Sequence, residues 1–184
     1  NGLGRDKAIW IGHDWGSPVV WNIASHHPDR VKAVASLCVP YGPLEKGLDG
    51  MIELVDRTVY PTDEFPAGQW EYMRFYEENF SDATAGFEAN PYNTAKALFR
   101  RGDPAGRGKP SRTAFVRQNG GWFGPDNVAP DVPRDDAVVS AADLSTYAAA
   151  MTRTGFFGAD SYYMNHERNG TYAETAQAGG ILEM

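Results

Sequence analysis

Ile9-Trp10-Ile11-Gly12-His13-Asp14-Trp15-Gly16-Ser17-Pro18 is the stretch that decides the fold. An apolar strand runs into a tight turn, and the turn carries an acid. Gly12, Asp14 and Gly16 meet the pattern glycine-x-nucleophile-x-glycine, which sets a reactive side chain on a sharp strand-to-helix turn. Serine at the centre of that pattern points to acyl-ester chemistry. Aspartate points to attack on a carbon that bears a good leaving group, with an ester left on the protein.

The flanks agree with such a turn. Lys7 to Ile11 is short, apolar and partly branched, as expected of a buried parallel strand. The two glycines allow the positive φ and close packing of a sharp turn. Trp15 to His27 reads as a helix with Val19, Val20, Ile23 and Ala24 as its apolar stripe. Pro18 is tolerated there because the first N–H groups of a helix have no internal partner. Asp14 then sits over free N–H groups at the positive end of the helix dipole. The competing use of Asp14 is as a helix N-cap. The glycine spacing and the preceding strand favour the nucleophile.

Composition narrows the classes. The chain has 184 residues, 42% of them hydrophobic, which suits a globular protein. A net charge of -7 with no basic run argues against a nucleic-acid partner. No apolar run approaches a membrane span, and a cytoplasmic location is expected. Cys38 is the only cysteine, so no internal disulfide forms, and its apolar surroundings predict a buried, inert thiol. The four histidines, His13, His26, His27 and His166, sit in no metal-like motif, so neither a metal nor a cofactor is expected. Asn79-Phe80-Ser81 and Asn169-Gly170-Thr171 match the glycosylation sequon, and are read as chance matches.

Three segments follow along the chain. Residues 1–40 are α/β: strand, turn, helix, the stop Pro28-Asp29-Arg30, and a strand over Val31 to Val39. Two strands joined by one helix make a right-handed crossover in a parallel sheet. Residues 41–172 are rich in proline, glycine and aromatics, with helices from Pro91 to about Arg101 and from Ser140 to Thr154. Ser140 with Asp143 resembles a capping box, and Gly155 is a natural stop. Residues 102–136 read as loop. Residues 173–184 read as a return to the sheet, with a new strand opening at Ala178 to Met184. Two strands and one helix do not complete a doubly wound sheet, so the sequence reads as part of a larger protein.

At three places the sequence resembles the soluble epoxide hydrolases of the α/β-hydrolase superfamily. The first is Gly12-His13-Asp14-Trp15-Gly16-Ser17-Pro18, continued by Val19-Val20-Trp21 and by His27-Pro28-Asp29-Arg30-Val31-Lys32-Ala33-Val34. The second is Tyr72-Met73-Arg74-Phe75-Tyr76-Glu77-Glu78. The third is Thr154-Gly155-Phe156-Phe157-Gly158, followed by Ser161-Tyr162-Tyr163-Met164-Asn165. The resemblance implies an α/β fold: part of an α/β-hydrolase core with its nucleophile elbow, and a mostly helical cap.

It also implies a two-step hydrolysis of a small-molecule epoxide with water. Asp14 attacks an epoxide carbon, and cap tyrosines, falling on Tyr72 and Tyr163, protonate the ring oxygen. Trp15 supplies an oxyanion N–H. Tyr76 is a rival for Tyr72, because Glu78-Asn79-Phe80 stands where many relatives turn with proline and glycine. Tyr162 is the rival for Tyr163. The general-base histidine and its acid partner fall after the cap in this family, so the resemblance implies that the isolated chain lacks them and is inactive. A homodimer is admitted as the assembly. The competing readings are a haloalkane dehalogenase, which shares the fold and the His-Asp-Trp sequence, and a non-catalytic relative that binds a ligand or partner. Trp122, in Gly120-Gly121-Trp122-Phe123-Gly124, is read either as pocket lining or as packing.

Overall fold

A computed structural model describes residues 2, 4–42 and 44–182. They divide into two compact units: one within Asn1–Leu54 and Asn165–Met184, the other Val55–Met164.

The first unit is built on strand β1 (Ala8–His13), helix α1 (Gly16–His26), a 3₁₀ turn at Pro28–Arg30, and strand β2 (Val31–Leu37). The strands pair in parallel, with Ile9 opposite Ala33 and His13 opposite Leu37. Helix α1 packs against both strands. Its covered face differs from the predicted stripe: Ser17, Pro18, Val20 and Ala24 are buried, whereas Val19 is exposed. The expectation of a buried first strand is corrected too, since Ile9 and Ile11 are 63% and 67% exposed. Side chains alternate across a strand, and in β1 Trp10 is half-buried and Gly12 buried while their neighbours are exposed.

β2 ends two residues sooner than expected. Cys38 turns out of the strand at φ 91°, and its thiol is exposed rather than buried. Helix α2 (Gly47–Ile52) and helix α7 (His166–Ala173) complete this unit. The C-terminal segment is tied to α1 through His26, whose Nε2 lies 3.0 Å from the Tyr172 carbonyl and whose ring stacks on Tyr172 at 4.0 Å. Gln177 donates to the His26 carbonyl at 2.7 Å. The expected strand from Ala178 does not form over residues 178–182. Gln177–Gly180 is a 3₁₀ turn, with Ala178 and Gly179 in left-handed backbone. The rest of that expectation, Glu183 and Met184, lies outside the described residues.

The second unit is helical: α3 (Glu71–Ala89), α4 (Pro91–Leu98), α5 (Ala141–Thr154) and α6 (Phe157–Asp160). Asn90 caps α4, accepting from the Asn93 N–H at 3.0 Å, and α4 stops at Leu98 rather than Arg101. Half of the capping box of α5 forms: the Asp143 N–H donates to Ser140 Oγ at 3.1 Å, while the Asp143 carboxylate accepts the Ser140 hydroxyl at 2.6 Å in place of the Ser140 N–H. Gly155, at φ 70°, ends the helix. The core gathers Phe75, Tyr76, Ala83, Phe87, Val116 and Phe156. Val116, with Ala114 and Ala129, comes from the stretch read as loop, and all three are buried. No helix among the described residues is long and apolar enough to cross a membrane.

Candidate active site

The turn between β1 and α1 has its strain on the acid itself. Asp14 adopts φ 51°, a left-handed backbone that costs a non-glycine residue about 1–2 kcal/mol. Neither Gly12 nor Gly16 takes positive φ, which corrects half of the role assigned to them. Gly12 serves close approach: a Cβ there would fall on the Gly16 carbonyl and 2.8 Å from the Ser17 nitrogen. Gly16 faces open space.

Four hydrogen-bond contacts hold the strained turn. The Asp14 N–H donates to the Leu37 carbonyl at 3.1 Å, and the Ser17 N–H donates to the Asp14 carbonyl at 2.9 Å. The wholly buried Ser17 hydroxyl is shared between the carbonyls of Gly12, at 3.1 Å, and Leu37, at 3.2 Å. Sequence reading gave Ser17 no role, although a small hydroxyl just after the elbow was the available signal. The result is an exposed Asp14 carboxylate at the start of α1. The Trp15 N–H donates to its Oδ2 at 2.7 Å. Trp15, the residue that opens α1, makes no side-chain cap hydrogen bond.

The histidines separate clearly. His26 cannot serve as a free base, because Nδ1 lies 3.0 Å from the Asn22 carbonyl and Nε2 is engaged by the Tyr172 carbonyl. His166, which sequence reading placed on the surface or in the cap, is 5% exposed in the same unit as Asp14. Its ring lies 5.9 Å from that of Trp15. Groups of three or more acidic, histidine or cysteine side chains suited to a metal ion are absent among the described residues.

In the helical unit the tyrosines converge. Tyr72 stands edge-on to Tyr163, with ring centroids 5.5 Å apart, and edge-on to Trp122 at the same distance. Tyr76 stacks flat on Tyr163 at 4.5 Å. Tyr72 and Tyr163 are half-buried at the edge of the core, Tyr76 is 2% exposed, and Tyr162 is exposed. Burial, then the charge of Asp160, pushes the Tyr76 phenol far above its ordinary range. Trp122 packs on the core, and its Nε1 is buried with no hydrogen-bond partner among the described residues.

The first turn of α3 is pinned from outside the helix. Buried Glu71 accepts from the Ala67 N–H at 2.5 Å. Arg117 forks onto Glu78 at 2.8 and 2.5 Å and reaches Glu71 at 3.4 Å. Tyr72 is carried on that turn. The helix breaks at Asn79, with φ -137° and ψ 40°, where the sequence comparison expected proline and glycine. Asp160, 4% exposed, is the acid that sequence reading missed. It stands alone among the apolar residues after Gly155, which was the signal for it.

The sequence matches the family described as the alpha/beta hydrolase fold over residues 1–111. The chain belongs to the α/β-hydrolase fold family. Its curated relatives include "Epoxide hydrolase A" of Mycobacterium tuberculosis, 32% identical over 97% of this chain and 51% of that protein. "Bifunctional epoxide hydrolase 2" of Sus scrofa is 33% identical over 92% of this chain and 27% of its own length. The chain thus spans about half or less of the length of these relatives. Among solved structures, epoxide hydrolase A from Mycobacterium thermoresistibile superposes with a TM-score of 0.63 at 32% identity, covering 94% of this chain and 50% of that one.

Proposed function

We propose that the protein is an epoxide hydrolase that works through an ester on Asp14. An Asp14 oxygen attacks an epoxide carbon, the carbon–oxygen bond of the ring breaks, and the departing oxygen takes a proton from a tyrosine hydroxyl. Water then adds to the carbonyl of the Asp14 ester. The tetrahedral oxyanion is held by the Trp15 N–H; as it collapses the diol leaves with the oxygen that had belonged to Asp14, one proton of the added water passing to that departing oxygen and the other returning to the tyrosinate, and the carboxylate is restored with one oxygen from water.

The observation that carries this reading is Asp14 itself: an exposed carboxylate at the strained apex of the elbow, with the Trp15 N–H on Oδ2 at 2.7 Å. That donor is in place before charge develops, which is what makes such a group effective. Tyr72 and Tyr163 are the proton donors in this reading. Their rings meet at 5.5 Å, whereas Tyr76 is enclosed in the core and Tyr162 lies outside it. A phenol of ordinary pKa, about 10, keeps its proton at neutral pH, and a positioned acid contributes about 10²–10⁴-fold. The names of the relatives support the same substrate class.

A haloalkane dehalogenase would use the same carboxylate and would not need paired phenols. Assay of an epoxide against a chloroalkane separates the two. An ester on Asp14 or diol from the epoxide, with no halide release from the chloroalkane, supports the proposal, and halide release with neither ester nor diol from the epoxide overturns it.

A further inference from the structure

Tyr72 is carried on a short, separable piece of helix. α3 starts at Glu71 and leaves helical geometry at Asn79, so residues 71–78 lie between the helix start and the break. One segment of chain holds that piece in two places. The Asn119, Gly120 and Gly121 N–H groups donate to the Phe115, Arg117 and Val116 carbonyls at 2.9, 3.2 and 2.9 Å, which folds residues 115–121 into a tight turn. Val116, 2% exposed, anchors the turn in the core. Next to it, Arg117 donates to Glu78 through Nε at 2.8 Å and Nη2 at 2.5 Å, and to the buried Glu71 through Nη1 at 3.4 Å. Further along the same segment, the Trp122 ring meets the Tyr72 ring edge-on at 5.5 Å. The guanidinium thus ties the first residue of the piece to the last, and the indole bears on the phenol between them.

We infer that Arg117 is a positioning residue for the proposed reaction: by tying Glu71 to Glu78 it sets where the Tyr72 hydroxyl lies for protonating the epoxide oxygen. The inference rests on the reading of Tyr72 as a donor. Arginine suits the task, because its planar fork takes a carboxylate in two bonds of fixed geometry, which a lysine ammonium does not. Exposed ion pairs add little to stability, so what the fork supplies is orientation. It supplies it where the helix is weakest, at the residue before the break at Asn79. Glu71 has a second tie of its own, the Ala67 N–H at 2.5 Å. The Glu78 end has the fork. Without Arg117 the piece is held at its start and free to swing at its end, and Tyr72 moves with it.

The test follows single-turnover ester formation on Asp14 from a simple epoxide, by intact-mass spectrometry, in the parent, Arg117→Gln, Tyr72→Phe and the double variant. Arg117→Gln slows ester formation about tenfold and leaves the half-saturating epoxide concentration unchanged, as expected when a reacting group is displaced by a fraction of an ångström. Tyr72→Phe has no hydroxyl to place, so in that background Arg117→Gln costs less than about twofold further. Glu78→Gln leaves Arg117 on Glu71 and slows ester formation about threefold, again only when the Tyr72 hydroxyl is present; it decides the matter if Arg117→Gln does not fold. Equal slowing with and without that hydroxyl overturns the inference, since a tie that merely supports the fold harms both backgrounds alike. No slowing in either variant overturns it too. The Tyr72 ring resonances, assigned by Tyr72→Phe, shift in Arg117→Gln and Glu78→Gln, and signals unmoved in both also overturn it. If Tyr72→Phe forms ester at the parent's rate, the reading of Tyr72 as a donor falls and takes the inference with it, while Asp14 stands. If the parent forms no ester, the proposed function falls, and the ring resonances still decide whether Arg117 sets the place of Tyr72.

Discussion

Gly12→Ala tests the elbow by geometry. The added methyl would meet the Gly16 carbonyl and lie 2.8 Å from the Ser17 nitrogen. Carbon contacts settle at about 3.5 Å or more, so the turn must open by more than about 0.7 Å, the shortfall at the more distant Ser17 nitrogen. Its neighbours are backbone atoms and have no rotamer to yield. Forced overpacking costs about 1–3 kcal/mol. Opening also stretches the Ser17 hydroxyl away from the Gly12 and Leu37 carbonyls, at about 1 kcal/mol for each bond lost. The total is about 3–5 kcal/mol. For a protein of this size that lowers Tm by about 6–20 °C. Gly16→Ala is the matched control, since nothing lies within 4 Å of its added methyl. There, in the first turn of α1, alanine is neutral or better than glycine by up to about 1 kcal/mol. Thermal and urea unfolding of both variants gives the comparison. Equal losses in the two variants, or an unchanged Tm in Gly12→Ala, would refute the reasoning.

Other substitutions probe the remaining parts. Ser17→Ala leaves the Gly12 carbonyl short of a donor, and is expected to cost about 1–3 kcal/mol in urea unfolding. Tyr163→Phe is expected to slow epoxide opening at least tenfold, on the scale of a lost proton donor, whereas Tyr162→Phe stays within twofold to threefold, roughly, as surface changes do; a reversal of the two would move the donor by one residue. Asp160 gives a pH signature in stability. Its folded carboxyl is raised to about 6 from the ordinary 3.8, so the folded state holds the proton more tightly than the unfolded one. Stability then falls as pH climbs between those values, and the penalty, at most about 3 kcal/mol, is complete above pH 6. Asp160→Asn should therefore raise Tm at neutral pH and leave it unchanged below pH 3.8, and a gain that is equal across pH would contradict this.

What the sequence disclosed was local in origin. The elbow was legible because its pattern of Gly12, Asp14 and Gly16 spans five residues and needs no distant partner. The α5 capping box was legible for the same reason. The longest helix was not read, although Met73, Tyr76, Phe80, Ala83 and Phe87 recur at helical spacing. Asn79 breaks the helix midway, and weak helix formers such as Ser81, Asp82, Thr84 and Gly86 blur the signal. Cys38 was placed in the core because its neighbours are apolar, and a single left-handed residue carried it out. Burial at His166 and Asp160 depends on partners far along the chain. Asp160 meets Thr84 across 76 residues, and no periodicity encodes such a contact. The tyrosine pair stands between these cases. Its spacing was quoted from a resemblance, and the ring contact that joins Tyr72 to Tyr163 is a tertiary fact.

The most direct measurement concerns the oxygen atoms of Asp14. The protein is incubated with an epoxide in heavy-oxygen-labelled water under single-turnover conditions, and the peptide containing Asp14 is sequenced by mass spectrometry. An ester nucleophile at Asp14 is expected to leave that carboxylate either alkylated or carrying one heavy oxygen, while the first diol released holds the light oxygen taken from the protein. Heavy oxygen in the first diol, with the Asp14 peptide unmodified, would mean that water attacks the epoxide directly and that Asp14 is not the nucleophile.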